Sequence, residues 1–243
     1  MTDGGRDLEI HRPKAPHSFR EFLSEVGVIV VGIAIALLGE QAVEALHWRH
    51  EVSEARRSLN VEVGHDLDVL DYLIAGEPCV ERRLAEAGGA LGAPGAPPLR
   101  RPMGQPQFPN MPTEAWDVAL ASGAVAHMPA KTAQTYRVIY GNLAWIKARV
   151  DEERTDWAKL SVLDLGVPMT PAVQAELLPT LAHAKAVADK FAQNEPLAAN
   201  GDSARATWIG GQAARVGASG PRGRLLGLAA ASLNSEREFC EGR

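Results

Sequence analysis

The chain has 243 residues, 46% of them apolar and 23% charged, which suits one membrane segment and one folded domain of moderate size. A formal net charge of −5 lacks the basic excess of a nucleic-acid binder, so no nucleic-acid partner is expected. Aromatic residues make up only 5% and alanine abounds, a balance that favours helix over sheet.

The basic residues Arg6, Arg12, Lys14 and Arg20 mark an N-terminal tail over residues 1–21. Residues 26–38, VGVIVVGIAIALL, then carry no charged or strongly polar side chain. Thirteen residues are too few to cross a bilayer, which takes about 20. Extended to residues 22–46 the segment is long enough, at the cost of including Glu25, Glu40 and Glu44. His47, Trp48 and Arg49 follow as an interfacial belt. This pattern predicts one transmembrane helix. A cleaved signal peptide with a cut near Val43 and Ala45 is a competing reading, and so is the core helix of a soluble protein. Against the first, the helical pattern runs through the cut site and Glu44 lies inside it. Against the second stands the basic, proline-containing tail. Four basic residues precede the segment and three (Arg49, Arg56, Arg57) follow it, so the positive-inside rule places the N-terminus in the cytoplasm. The expected location is the inner (cytoplasmic) membrane, with the bulk of the chain periplasmic or otherwise extracytosolic.

Gly32, Ala36, Gly39 and Val43 fall on one face of that helix at i, i+4, i+7 and i+11. Small residues at this spacing let two helix backbones approach closely, so Gly32, Ala36 and Gly39 are the candidate self-association face of a homo-oligomer. Such a pairing would also shield Glu40 from lipid.

Glu25, Gly32, Ile33, Ile35, Ala36 and Leu37 together resemble the anchor of a family of uncharacterised bacterial single-pass membrane proteins, of the form G-E-I-V-L-V-V-I-G-I-L-I-A-L. The likeness covers about 25 residues, and the step from Glu25 to Gly32 is the same. Leu38, Gly39, Glu40 and Gln41 stand where that family has Gln-Ile-Asn-Asn, and Trp48 comes later. The resemblance implies an N-terminal anchor on a mainly helical domain and no catalytic residues.

Beyond the anchor, Val52, Ala55, Leu59, Val63, Leu67, Leu70 and Ile74 recur at three- and four-residue steps. Glu51, Glu54, Arg56, Arg57, Glu62, Asp66 and Asp68 occupy the other faces in this reading. The amphipathic helix is expected to end at Gly76 and Pro78, with a second short helix over residues 79–90, the two making a juxtamembrane region at 47–87. Residues 88–112 hold seven prolines and five glycines. They cannot form a regular helix. Leu99, Met103, Phe108 and Met111 within them predict a loop packed over the domain.

The helical bundle is placed at 113–243. Thr113 reads as an N-cap, with Glu114 and Asp117 in the first turn. That helix ends near Ser122 and Gly123. Pro129 opens the next, with the stripe Tyr136, Tyr140, Leu143, Ile146, Val150, Trp157 and Leu160. Thr170 and Pro171 start another, carrying Leu177, Leu181, Ala184, Val187 and Phe191, with Pro179 as a kink. Residues 201–223 are glycine-rich and read as loop, and a final helix is expected over 224–239. The fold class is all-α: a transmembrane helix continuing into an antiparallel bundle of four or five helices.

No catalytic constellation, metal set or cofactor motif emerges. Glu44, His47, Glu51 and Glu54 have helix-face spacing, but no second helix offers a matching pair. His65 beside Asp66 reads as surface. Ser122 lacks the flanking glycines of a nucleophile elbow. Gly210 and Gly211 lack the lysine of a phosphate loop. Trp116, Trp145, Trp157 and Trp208 read as core aromatics before they read as a pocket. Cys79 and Cys240 are the only cysteines, and both fall in expected helices, so they are the candidate disulfide; two buried free thiols in a cytosolic domain are the competing reading. The expected function is a membrane-tethered, non-enzymatic interaction module with a protein partner yet to be identified. A ligand sensor acting through a partner and an envelope enzyme assembled only in three dimensions are the alternatives.

Overall fold

A computed structural model describes residues 18–92, 99–166, 168–192, 202–218 and 239–240. The described chain is all-α, with no strand among the described residues. Helix α1 spans Phe19–Leu91, α2 Glu114–Ala121, α3 Ala124–His127, α4 Ala130–Leu160, α5 Pro171–Ala192 and α6 Asp202–Val216. A short 3-10 turn, Ser161–Leu165, follows α4. The chain forms two compact units, Met1–His50 and Glu51–Arg243.

In the first unit, every large apolar side chain from Phe19 to Leu46 is exposed, between 38% and 75%. Residues 22–46 make a helical rod of about 37 Å at 1.5 Å per residue, against a hydrocarbon core of about 30 Å. It is long and apolar enough to span a membrane. Trp48 donates its indole N–H to Glu44 at 3.4 Å, and the His47 ring lies 5.3 Å from that of Trp48.

The second unit has a core of two clusters. Leu59, Val63, Val69 and Leu70 of α1 meet Tyr136, Ile139, Leu143, Ile146 and Val150 of α4, with Ile209, Ala213 and Val216 of α6. Further along, Val80, Leu84, Ala87 and Leu91 meet Trp157 and Leu160 of α4 and Leu177, Leu181, Ala184 and Ala188 of α5. The seam expected from Val52 to Ile74 is the one that packs, with Val52, Ala55, Leu67 and Ile74 as partly buried flanks. Asn60 pairs with Tyr136, Glu62 with Tyr140, and the Val80–Leu91 end of α1 with Trp157, so α1 and α4 run in the same direction. The long connection between them carries the chain back to make this possible. Helix α5 then returns antiparallel to both, with Asp156 against His183 and Leu91 against Gln174.

Three expectations are corrected. First, α1 does not stop at Gly76 and Pro78; it continues through Pro78 to Leu91 and absorbs the short helix expected after it. Pro78 forgoes its own N–H bond and crowds the preceding turn, a cost of roughly 3 kcal/mol that burial of Gly76, Cys79, Val80, Leu84 and Ala87 on both sides of it outweighs. The irregular segment therefore begins at Gly92, not at residue 88. Second, residues 202–216, expected as glycine-rich loop, are helix α6. Ile209, Ala213 and Val216 recur at helical steps and are buried, and that packing overrides the helix cost of Gly210 and Gly211, about 1 kcal/mol each. Third, Asp66 is not on a solvent face; it is fully buried. The final helix expected over 224–239 lies outside the described residues except for Phe239, as does most of the 1–21 tail.

The described part of the Pro/Gly-rich segment, residues 99–112, packs as expected. Met103 and Met111 are buried at 0% and 2% exposure, and Phe108 touches both core clusters.

Candidate functional site

Three groups of polar side chains interrupt the apolar core of the second unit. The first lies where α1, α2 and α4 meet. Glu62 accepts the backbone N–H of Ala115 on both carboxylate oxygens, at 3.2 and 3.1 Å. It also accepts the Tyr140 hydroxyl at 2.8 Å. The α2 N-terminus, with its unpaired N–H groups and positive dipole end, is thus capped from another helix. Thr113, the expected N-cap, makes no side-chain cap bond. Trp116 stacks on Tyr140 with ring centres 5.3 Å apart. One turn earlier, Tyr136 donates its hydroxyl to Asn60 at 2.5 Å, and Asn60 donates to the Val216 carbonyl at 3.4 Å.

Asp66 sits one turn beyond Glu62 with both carboxylate oxygens buried and without a hydrogen-bond partner. Burial, then the like charges of Glu62 and Glu114, push it up to about 8, against the pull of Lys147. Burial also raises Tyr140, and its bond to Glu62 adds to the shift. The neutral form of Asp66 is thus favoured by an environment to which three helices contribute.

The second group fastens the start of the Pro/Gly-rich segment. Arg83, fully buried, donates to Glu86, to the Pro102 carbonyl and to the Met103 carbonyl, the last at 3.0 Å. Asp164 accepts the backbone N–H groups of Met103 and, at 3.2 Å, Gly104. Arg101 joins Glu86 at 3.0 Å. Burial lowers Arg83, while the hydrogen bond from Arg101 is the main cause that lowers Glu86. Cys79 and Cys240 are joined beside this group, Cα to Cα 5.6 Å. The bond closes a loop of 161 residues, a restriction on the unfolded chain of about 5 kcal/mol in the entropy model.

The third group lines an open cleft between α4 and α5. His183 Nδ1 lies 2.6 Å from Asp156 Oδ2; the carboxylate is buried and the imidazole half exposed. Asp151, Glu152, Thr155, Lys159 and Thr180 line the same cleft. Nearby, Glu153 is buried, and that burial pushes it up to about 7, aided by Asp156. The Trp157 indole N–H pulls the other way, although its geometry falls short of a full hydrogen bond.

Gly32, Ala36 and Gly39 lie on exposed helix, and a Cβ built on either glycine meets nothing within 4 Å. The four tryptophans do not converge. Trp157 is core, Trp116 stacks on Tyr140, Trp145 lies under Arg149 at 4.9 Å, and Trp208 is exposed. The Ser122 hydroxyl donates to the Ala119 carbonyl at 3.3 Å at the end of α2. His65 faces the Asn110 carbonyl at 3.2 Å. Among the described residues no three His, Cys, Asp or Glu side chains gather as a metal site.

Sequence reasoning missed Asp66, Arg83 and Glu153. A signal for two of them exists. Asp66 continues the Leu59–Val63–Leu70 seam, and Arg83 sits within the Val80–Leu84–Ala87 seam, so each is a charged residue at an apolar register position. Compared with protein-family models, curated proteins and solved structures, the chain has no significant match.

Proposed function

We propose that this protein is a membrane-anchored helical interaction module of the cell envelope, without catalysis of its own. The observation that carries the reading is the contrast between the two units. Residues 22–46 expose apolar side chains throughout, while the described residues from 51 onward bury an apolar core of their own. A helix left so apolar in water would be an aggregation site, and a bilayer satisfies it. The resemblance of Glu25, Gly32, Ile33, Ile35, Ala36 and Leu37 to a single-pass anchor supports the same assignment. The four-to-three count of flanking basic residues, and a cysteine pair suited to an oxidising compartment, favour a cytoplasmic N-terminus and an extracytosolic domain. The Gly32, Ala36 and Gly39 face supports a homodimer through the anchor, leaving the surface of the domain for a protein partner.

Carbonate extraction of membranes should leave the full-length chain in the pellet, and protease added to spheroplasts should cut within residues 51–243. Recovery of the intact chain in the soluble fraction, or a mature N-terminus near Leu46, would refute the anchor. Full protection from external protease would reverse the topology.

The Asp156–His183 cleft favours a second reading, a ligand sensor that signals through a partner. The contact of Nδ1 with the buried Asp156 carboxylate orients the imidazole, and His183 lines the cleft. Unchanged His183 Nε2 chemical shifts across a small-molecule screen would remove that reading.

A further inference from the structure

Phe239 and Cys240 lie across the start of the Pro/Gly-rich segment, and each holds a different part of it. The Cys240 carbonyl accepts from Arg101 at 2.8 Å and from Arg82 at 3.4 Å. The Phe239 ring meets the Trp157 indole edge-on, centres 5.3 Å apart, and the Arg83 guanidinium lies 6.0 Å from its centre. Gly104, at φ 62°, turns its bare Cα toward that ring; a Cβ there would come within 3.2 Å of it. Arg101, Gly104 and Arg83 are the same residues that anchor residues 99–104 to the domain. The short segment at 239–240 and the loop are therefore one mechanical unit, closed covalently only at Cys79.

We propose that the Cys79–Cys240 disulfide is a redox-operated clasp: a dithiol reductant that opens it frees Phe239 and Cys240, and with them the Arg101 end of the loop at residues 99–104, while Arg83 and Asp164 still hold residues 102–104. Cys79 is buried, whereas Cys240 is half exposed, so attack falls on the Cys240 sulfur. A thiolate of the reductant displaces Cys79, which leaves as a thiolate and takes up a proton. The second thiol of the reductant then attacks the mixed disulfide, releasing the Cys240 thiol and leaving the reductant as its own disulfide. Two electrons and two protons pass to the protein. Among the described residues, what remains of the clasp is two hydrogen bonds to one half-exposed carbonyl and the contacts of the Phe239 ring with Trp157, Arg83 and Gly104. Helices α1, α4 and α5 still meet through Leu84, Leu160, Leu177 and Leu181, a buried cluster that Phe239 flanks as one of its partly buried neighbours. Opening bares the Trp157 edge, Gly104 and Arg101 together, an apolar spot beside a cation. The clasp stands independently of the membrane reading, because it resides wholly within residues 51–243 and is read on purified protein.

The test uses the full chain in lipid nanodiscs, with and without dithiothreitol. Trypsin cleavage after the exposed Arg100 reports the loop, and backbone amide chemical shifts over residues 136–150 report the core. Reduction should speed cleavage about tenfold, as cleavage follows the population of the open loop, and leave the α4 shifts native even though the lost loop constraint lowers global stability. Phe239→Ala with the disulfide intact should speed cleavage by a smaller factor. Unchanged cleavage after both thiols have become alkylatable overturns the proposal. So does collapse of the α4 shifts to unfolded values on reduction, which makes the disulfide a staple of the whole fold. No effect of Phe239→Ala in the oxidised chain overturns the part played by the ring.

Discussion

Glu62 holds the N-terminus of α2 by receiving the Ala115 backbone N–H on both of its carboxylate oxygens. The same carboxylate accepts the Tyr140 hydroxyl, so one side chain of α1 ties α2 to α4. Helix α2 has eight residues and cannot hold itself together in isolation. Its place in the fold is set by this carboxylate and by the stacking of Trp116 on Tyr140.

Glu62→Ala should therefore cost about 1–3 kcal/mol, from a lost charged cap and an unpaired Tyr140 hydroxyl. Urea unfolding of the purified chain measures it. Hydrogen exchange should localise the loss to α2 first. A variant as stable as the parent would show that α2 is placed by its apolar contacts alone.

Asp66 gives the domain an alkaline limit. Its carboxyl is pushed up to about 8, far above an unfolded value near 4. The folded state thus binds the proton more tightly, and stability falls as pH rises between those values and levels off above 8. Asp66→Asn should match the parent near pH 4 and exceed its stability at pH 9. Lys147 opposes the shift, so Lys147→Met should move the pH midpoint of the loss upward. A pH–stability curve with the same slope in Asp66→Asn as in the parent would contradict this.

The exposed face of Gly32, Ala36 and Gly39 makes a separate prediction. Gly32→Leu with Gly39→Leu places two bulky side chains where a Cβ now meets nothing. In a membrane reporter of helix association the signal should fall several-fold, since close backbone approach depends on small residues. Thermal unfolding of the domain at residues 51–243 should not change. An unaltered reporter signal would place any oligomer contact elsewhere.

The helices were legible in the sequence where a regular seam met a clear end. The stripe from Tyr136 to Leu160, the Thr170–Pro171 start of α5 and the apolar rod at 22–46 all needed only periodicity and caps. Gly76 and Pro78 misled because they are local stop signals, whereas continuation of α1 is decided by Val80, Leu84 and Ala87 packing against residues far along the chain. Gly210 and Gly211 misled in the same way. The polar groups were harder still. A buried Asp66 and a solvated Asp66 look identical in one sequence unless its register with Leu59 and Val63 is taken as seriously as its charge. That Glu62 caps α2 was not legible at all, because the two residues stand 53 apart and nothing local links them.

Glu153 carries the last prediction. It lies on α4, with the indole of Trp157 one turn on and Asp156 adjacent to it in space. Glu77, Tyr72 and Gln107 line a small cavity beside it, of about 20 Å³, room for one water. Burial pushes Glu153 up to about 7, so near neutral pH it exists in both protonation states. Because its folded value is raised, the neutral form belongs to the folded state. Stability is greatest below the unfolded value near 4 and is lost as pH climbs through 7. Glu153→Gln keeps the shape and removes the charge. It should leave stability unchanged at pH 4 and add about 1–3 kcal/mol at pH 8, the order expected for a shift of this size once partial solvation is allowed for. Thermal melts at the two pH values decide the matter. An equal change at both would mean that the substitution acts through packing against Trp157 rather than through the proton. A loss of stability at pH 8 would mean that the charged carboxylate is the form that the cavity holds.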